Sequence, residues 1–135
     1  MARNILGVIA GLAVWIAIAA VAGLTMRSAW PEYASVAAAM TFTLPMMFAR
    51  LAIGACATLG AGWVAAVIAR RSLLAGVTVG LLLILVFVPQ HLLLWNKFPV
   101  WYHLTFLVSL LPLACLGGQI GAPWHGAVPR SIKMP

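Results

Sequence analysis

The chain alternates long apolar stretches with short polar breaks, and this pattern divides it into four similar parts. The apolar stretches cover residues 5–24, 45–69, 72–94 and 102–120. A helix of about 20 apolar residues crosses the roughly 30 Å hydrocarbon core of a membrane. We therefore predict an all-α fold, an integral membrane four-helix bundle in which residues 1–135 form a single membrane domain.

The connection between the first two spans is the longest in the chain. Trp30-Pro31-Glu32 is typical of a helix start, because proline is tolerated at the first position and an acid is favoured in the first turn. Apolar side chains then recur at helical spacing. This predicts a short interfacial helix at about 31–44, and an extension of the second span fits the same pattern. At the other end, residues 121–135 contain three prolines, which predicts a non-helical tail.

The first span also resembles a cleaved signal peptide. Arg3 supplies a basic start, and Ala20-Val21-Ala22 has the small side chains of a cleavage site. The apolar stretch is, however, longer than the roughly 7–15 residues usual in signal peptides. We therefore expect the first span to be retained as a membrane helix.

Composition excludes a water-soluble fold. Hydrophobic residues make up 65% of the chain and charged residues 7%, and the mean hydropathy is +1.13. Soluble domains contain about 45–50% apolar and about 25% charged residues. The net charge of +7 would suggest nucleic acid in a soluble protein, but here the cations stand singly or as one pair at the span ends. They predict contact with lipid headgroups and no nucleic-acid partner.

The loop cations are distributed unequally between the two sides of the predicted bundle. Arg27 and Lys97 lie on one side. The other side carries five cations: Arg3, Arg70, Arg71, Arg130 and Lys133. Because short loops rich in Lys and Arg stay in the cytoplasm, we predict that both termini are cytoplasmic. The expected location is the bacterial inner membrane, with residues 89–103 facing outward.

Small residues recur four positions apart in every span. Such pairs let helix backbones approach closely in lipid, where van der Waals contact drives helix association. We therefore expect them to pack within the bundle. The pairs are Gly7 and Gly11, Gly54 and Thr58, Gly76 and Gly80, and Gly117 and Gly121.

The side chains that could carry chemistry concentrate near the outer ends of the second and third spans. Arg50 lies inside its span, so its guanidinium must pair, reach the headgroups or line a wet cavity. Glu32, the only acid, is its expected partner, with headgroup phosphate as the alternative. We predict a functional polar cluster of Arg50, Glu32, Gln90 and His91. The secondary candidates are His103, Lys97, Asn96 and Trp95.

No motif in the chain specifies a reaction. The isolated Ser and Thr side chains have no accompanying histidine and carboxylate, so we expect no catalytic residues. We expect no cofactor and no metal site, although His91 and His103 on adjacent helices could ligate a haem iron or a divalent metal.

Because the chain has few polar side chains, we favour an accessory or interaction subunit of a larger membrane complex. Its partners would be membrane lipids and other membrane subunits or a second copy of the chain. One alternative is a small oligomeric transporter or channel for a polar or anionic solute. Another is a membrane redox protein that binds haem or quinone.

Overall fold

The computed structural model describes residues 2–69 and 73–121, and every regular element within them is an α-helix. The helices are α1 (Ala2–Ala29), α2 (Pro31–Ala37), α3 (Leu44–Ile68), α4 (Leu73–Leu93) and α5 (Val100–Gly121). The four longer helices are long and apolar enough to cross a membrane. The predicted all-α fold with four membrane helices is therefore confirmed. Arg70, Arg71 and the predicted tail beyond Gly121 lie outside the described residues.

Helix α1 continues five residues beyond the predicted end of the first span at Leu24. The Thr25 hydroxyl donates to the carbonyl of Val21, and the Ser28 hydroxyl donates to the carbonyl of Thr25, so these polar side chains are satisfied by their own helix. The helix ends just before Trp30, whose φ of −130° and ψ of 89° are not helical. The following residue is proline, which disfavours the helical conformation at the position before it.

Helix α2 is shorter than the predicted interfacial segment, residues 31–44. The chain turns at Met40, whose φ of 58° lies in the left-handed region, and it is extended at Thr43. Helix α3 then begins independently at Leu44. The short helix is present, but the alternative of an extended second span is wrong, because left-handed and extended residues interrupt the helix.

Helices α3 and α5 touch along their backbones. A Cβ atom built on Gly62 would overlap the carbonyl oxygen of Ala114, and one built on Gly117 would overlap the carbonyl oxygen of Leu59. Only glycine allows this approach, since a backbone atom on the facing helix cannot move aside as a flexible side chain can.

The predicted small-residue pairs do pack within the bundle. All eight residues are buried. Gly7 and Gly11 face the carbonyl groups of α3, and Gly76 and Gly80 face α5 at Ala114. The member of these pairs with a hydroxyl, Thr58, accepts a hydrogen bond from the Trp15 indole at 3.0 Å and donates to its own helix.

The two halves of the bundle are packed differently. In the half that contains the start of α1, the core consists mostly of small side chains, including the fully buried Ala61, Ala65 and Ala114. In the opposite half, where the loop after α4 leads into α5, large aromatic side chains such as Phe87 and Phe106 separate the helices. This second half contains a cavity that all five helices line.

Candidate functional site

A cavity of about 280 Å³ lies in the aromatic half of the bundle, and every helix contributes to its wall. We call it the Arg50 cavity. Most of its lining is apolar, including Trp15 and Met26 from α1. The side chains with polar atoms in the lining are Trp15, Tyr33, Arg50, Gln90, His91, Tyr102 and His103. A mainly apolar pocket with a few convergent polar groups is the usual form of a small-molecule site.

Arg50 is held in place by two tyrosines and a phenylalanine. Its Nη1 donates a 2.7 Å hydrogen bond to the Tyr33 hydroxyl, and its Nε donates a 3.3 Å hydrogen bond to the Tyr102 hydroxyl. The guanidinium carbon lies 4.6 Å from the centre of the Phe42 ring, a cation–π contact. Two of the five guanidinium N–H groups are thereby used, and the planar group is fixed at the cavity wall.

Within residues 2–69 and 73–121, no carboxylate lies against the positive charge of Arg50. The expected ion pair with Glu32 is not formed, because the guanidinium hydrogen bonds are made to Tyr33 and Tyr102, and Glu32 lies exposed on α2. Glu32 is the single acidic side chain in the sequence. Hydroxyl groups orient the guanidinium but do not neutralise it, so the cavity carries net positive charge beside Arg50.

His91 and His103 are in direct contact within the same cavity. Their Nδ1 atoms lie 2.8 Å apart, which places one hydrogen between the two rings. His103 is fully buried, and its Nε2 has no hydrogen-bond partner among the described residues. The two histidines therefore lie in one layer of the bundle, and His103 is enclosed within it.

Aromatic rings enclose the histidines. The indole of Trp95 stacks on His103 with ring centres 4.8 Å apart, and Phe106 stacks on His91 at the same distance. Phe98 stands edge-on to His103 at 5.9 Å. Because the loop after α4 folds Trp95 and Phe98 over the start of α5, a histidine in the first turn of that helix becomes buried.

The predicted candidates divide into two groups. Arg50, Gln90, His91 and His103 line the cavity, and Trp95 covers one histidine. Glu32, Asn96 and Lys97 are exposed and do not line it. The functional role of these residues stays a prediction.

Sequence reasoning missed the residues that hold Arg50. Tyr33 is buried on α2, and Tyr102 is buried in the first turn of α5. Tyr102 resembles an interfacial anchor in the sequence, because tyrosines near span ends commonly occupy that position. For Tyr33 the available signal was its place at the start of the helical apolar repeat after Pro31, which puts it on the apolar face of that helix. For Tyr102 the signal was weaker, since the sequence shows only that it lies next to His103.

The geometry does not fit a haem held by both histidines, because such a haem places its iron between two imidazoles that here touch each other. No group of three or more metal-ligating side chains occurs within residues 2–69 and 73–121. What the cavity offers is an oriented cation, a histidine pair and apolar walls.

Comparison with known proteins provides no family assignment. No protein-family model matches the chain, and no significant match was found to a curated protein or to a solved structure.

Proposed function

We propose that this integral membrane protein binds an amphipathic anion, with its carboxylate, phosphate or sulfonate head at Arg50 and its apolar body along the cavity wall. The observation that carries the proposal is the guanidinium of Arg50, which belongs to a membrane helix, lines the cavity and has no acidic partner among the described residues. A charged side chain within a membrane helix is costly unless it pairs or reaches water, and pairing with an anion lowers that cost.

The arrangement of Arg50 supports an anionic head group. Nη2 and one hydrogen of Nη1 are left over once the tyrosine hydrogen bonds are made. Arginine presents neighbouring donors in a planar fork that matches the oxygens of carboxylates and phosphates. The tyrosines fix the fork before the ligand arrives, which reduces the entropy lost on binding.

The cavity suits a ligand with a polar head and an apolar body. Its volume of about 280 Å³ is near the lower end of the roughly 300–1,000 Å³ range of small-molecule sites. It therefore accommodates a head group and the adjoining part of the body, with a longer chain continuing into the bilayer. Trp15 and Phe87, with ring centres 4.8 Å apart, supply the apolar wall.

The proposal is tested with dodecyl sulfonate and the purified protein in phosphatidylcholine nanodiscs. Arg50→Gln should weaken binding at least tenfold, because a charge-assisted hydrogen bond contributes about 1.5–3 kcal/mol. Arg50→Lys should bind with intermediate affinity, since it keeps the charge and loses the fork. Arg27→Gln is the matched control, because Arg27 is exposed in the last turn of α1 and does not line the cavity.

Two comparisons complete this experiment. Dodecanol has the same chain without charge, and its partitioning should not depend on Arg50. Adding phosphatidylglycerol to the nanodiscs distinguishes the sources of the anion, since competition with the sulfonate identifies a lipid headgroup. Equal binding of dodecyl sulfonate to wild type and Arg50→Gln would contradict the proposal.

The accessory-subunit function would use a separate feature, the lipid-exposed face of α1. Ile5, Ile9, Ile16, Val21 and Leu24 are all more than half exposed along this helix. Such a surface contacts lipid tails or a helix of another membrane protein. Affinity purification from native membranes at endogenous expression tests this function, and recovery of the chain without a stoichiometric partner would contradict it.

A further inference from the structure

The contact between His91 and His103 limits how many protons the two rings can hold. With Nδ1 atoms 2.8 Å apart, one ring donates its Nδ1–H and the other accepts. One added proton at the donor ring's Nε2 leaves this bond intact. A second would place two N–H groups against each other and break the contact. The pair therefore has two compatible states, which differ by one proton and one positive charge.

The added charge would lie close to Arg50. The His91 ring stacks on Tyr102 with ring centres 6.3 Å apart, and the Tyr102 hydroxyl accepts the hydrogen bond from Arg50. Tyr33 from α2 is the other titratable group of the cavity wall, and α1 contributes none to it. Without an anion, Arg50 therefore opposes protonation of the pair, and a bound anion favours it.

We infer that the His91–His103 pair takes up one proton when an anion binds at Arg50, so that the cavity binds an anion and a proton together. This inference rests on the proposed function, which supplies the anion. The coupling is reciprocal: if the anion favours the proton, the proton raises the affinity for the anion by the same factor.

Protonation also changes the hydrogen-bonding character of the pair. In the neutral pair, one free Nε2 is a donor and the other is an acceptor. In the singly protonated pair, both free Nε2 atoms are donors, which suits the oxygens of an anionic head group. The buried Nε2 of His103, which has no partner among the described residues, is one of these two atoms.

The test measures dodecyl sulfonate binding between pH 8 and pH 5.5, the range in which imidazole changes charge. The sulfonate itself does not titrate there, so any bound proton belongs to the protein. Affinity should rise as pH falls, by no more than tenfold per pH unit, because the pair takes only one proton. Calorimetry in two buffers of different ionisation enthalpy should give an uptake between zero and one proton per bound sulfonate.

Substitutions of the histidines identify which residues take up the proton. The double variant His91→Gln/His103→Gln should lose proton uptake and the pH dependence. His125→Gln should retain both, and it controls for the remaining histidine, which lies outside the described residues. Thermal unfolding and gel filtration verify that the double variant is folded, and the proton count of the His125→Gln variant decides the question if it is not.

The possible results separate the two proposals. Sulfonate binding that depends on Arg50 but takes up no proton would overturn the inference and leave the proposed function standing. Proton uptake that persists in a folded double variant would also overturn the inference. If the wild-type protein binds no sulfonate at any pH, the proposed function fails, and the inference that depends on it fails too.

Discussion

At the scale of single residues, the central feature is a cation oriented by hydroxyl groups. Arg50 donates to Tyr33 and Tyr102, and no acidic side chain among the described residues neutralises its charge. A carboxylate in the same place would have neutralised it, and the cavity would then have no electrostatic preference. The two tyrosines therefore position the cation without competing with an anionic ligand.

We predict that Tyr33→Phe lowers the free energy of unfolding more than Tyr102→Phe does. The bond to Tyr33 is 2.7 Å long and the bond to Tyr102 is 3.3 Å, and shorter charge-assisted bonds are stronger. The expected loss for Tyr33→Phe is about 1.5–3 kcal/mol, because one partner of a charged group is removed. Reversible unfolding in sodium dodecyl sulfate measures the difference.

A double-mutant cycle with Arg50→Gln isolates this interaction. The coupling energy between positions 33 and 50 should exceed that between positions 102 and 50. Equal coupling at the two positions would contradict the order expected from the two bond lengths, and no coupling at either position would show that the tyrosine hydroxyls do not hold the guanidinium.

At the scale of helices, the sequence predicts where the helices lie along the chain better than it predicts which residues they bring into contact. Lipid requires about 20 apolar residues in each span, so the four helices are evident from hydropathy alone. The polar contacts join distant positions: Arg50 is 17 residues from Tyr33 and 52 residues from Tyr102. Hydropathy contains no information on which helix faces which. It could therefore predict the depth of Arg50 but not its hydrogen-bond partners.

The spacing of small residues is the exception, because it predicts contacts between helices as well as the helices themselves. Glycine pairs favour close helix approach, and the structure uses them between α1 and α3 and between α3 and α5. The sequence did not reveal which glycines matter most. Gly62 is not a member of any predicted pair, yet it lies against the α5 backbone at Ala114.

We predict that Gly62→Ala destabilises the bundle by about 1–3 kcal/mol or more, because the added methyl group forces α3 away from α5. Gly23→Ala is the matched control: it lies in a helix, and a Cβ atom there would meet nothing within 4 Å. It should be neutral or slightly stabilising, since alanine favours helix over glycine by about 1 kcal/mol. Similar unfolding curves for the two variants would contradict the close contact between α3 and α5.

At the scale of the whole molecule, the bundle has a tightly packed half and a half with a cavity. The tight half relies on small side chains, and the open half is shaped by aromatic rings around Arg50 and the histidines. The orientation of these halves in the membrane decides from which side a ligand reaches Arg50. The distribution of loop cations predicts that the cavity lies toward the outer leaflet.

We predict that Asn96, an exposed residue between α4 and α5, faces the outside of the cell. In a variant with Cys56 and Cys115 replaced by serine, Asn96→Cys should react with a membrane-impermeant maleimide in intact spheroplasts. Ala2→Cys, at the start of α1, should react only after the membrane is permeabilised. The reverse pattern would place the Arg50 cavity at the cytoplasmic face, and an anionic ligand would then have to come from the inner leaflet or the cytoplasm.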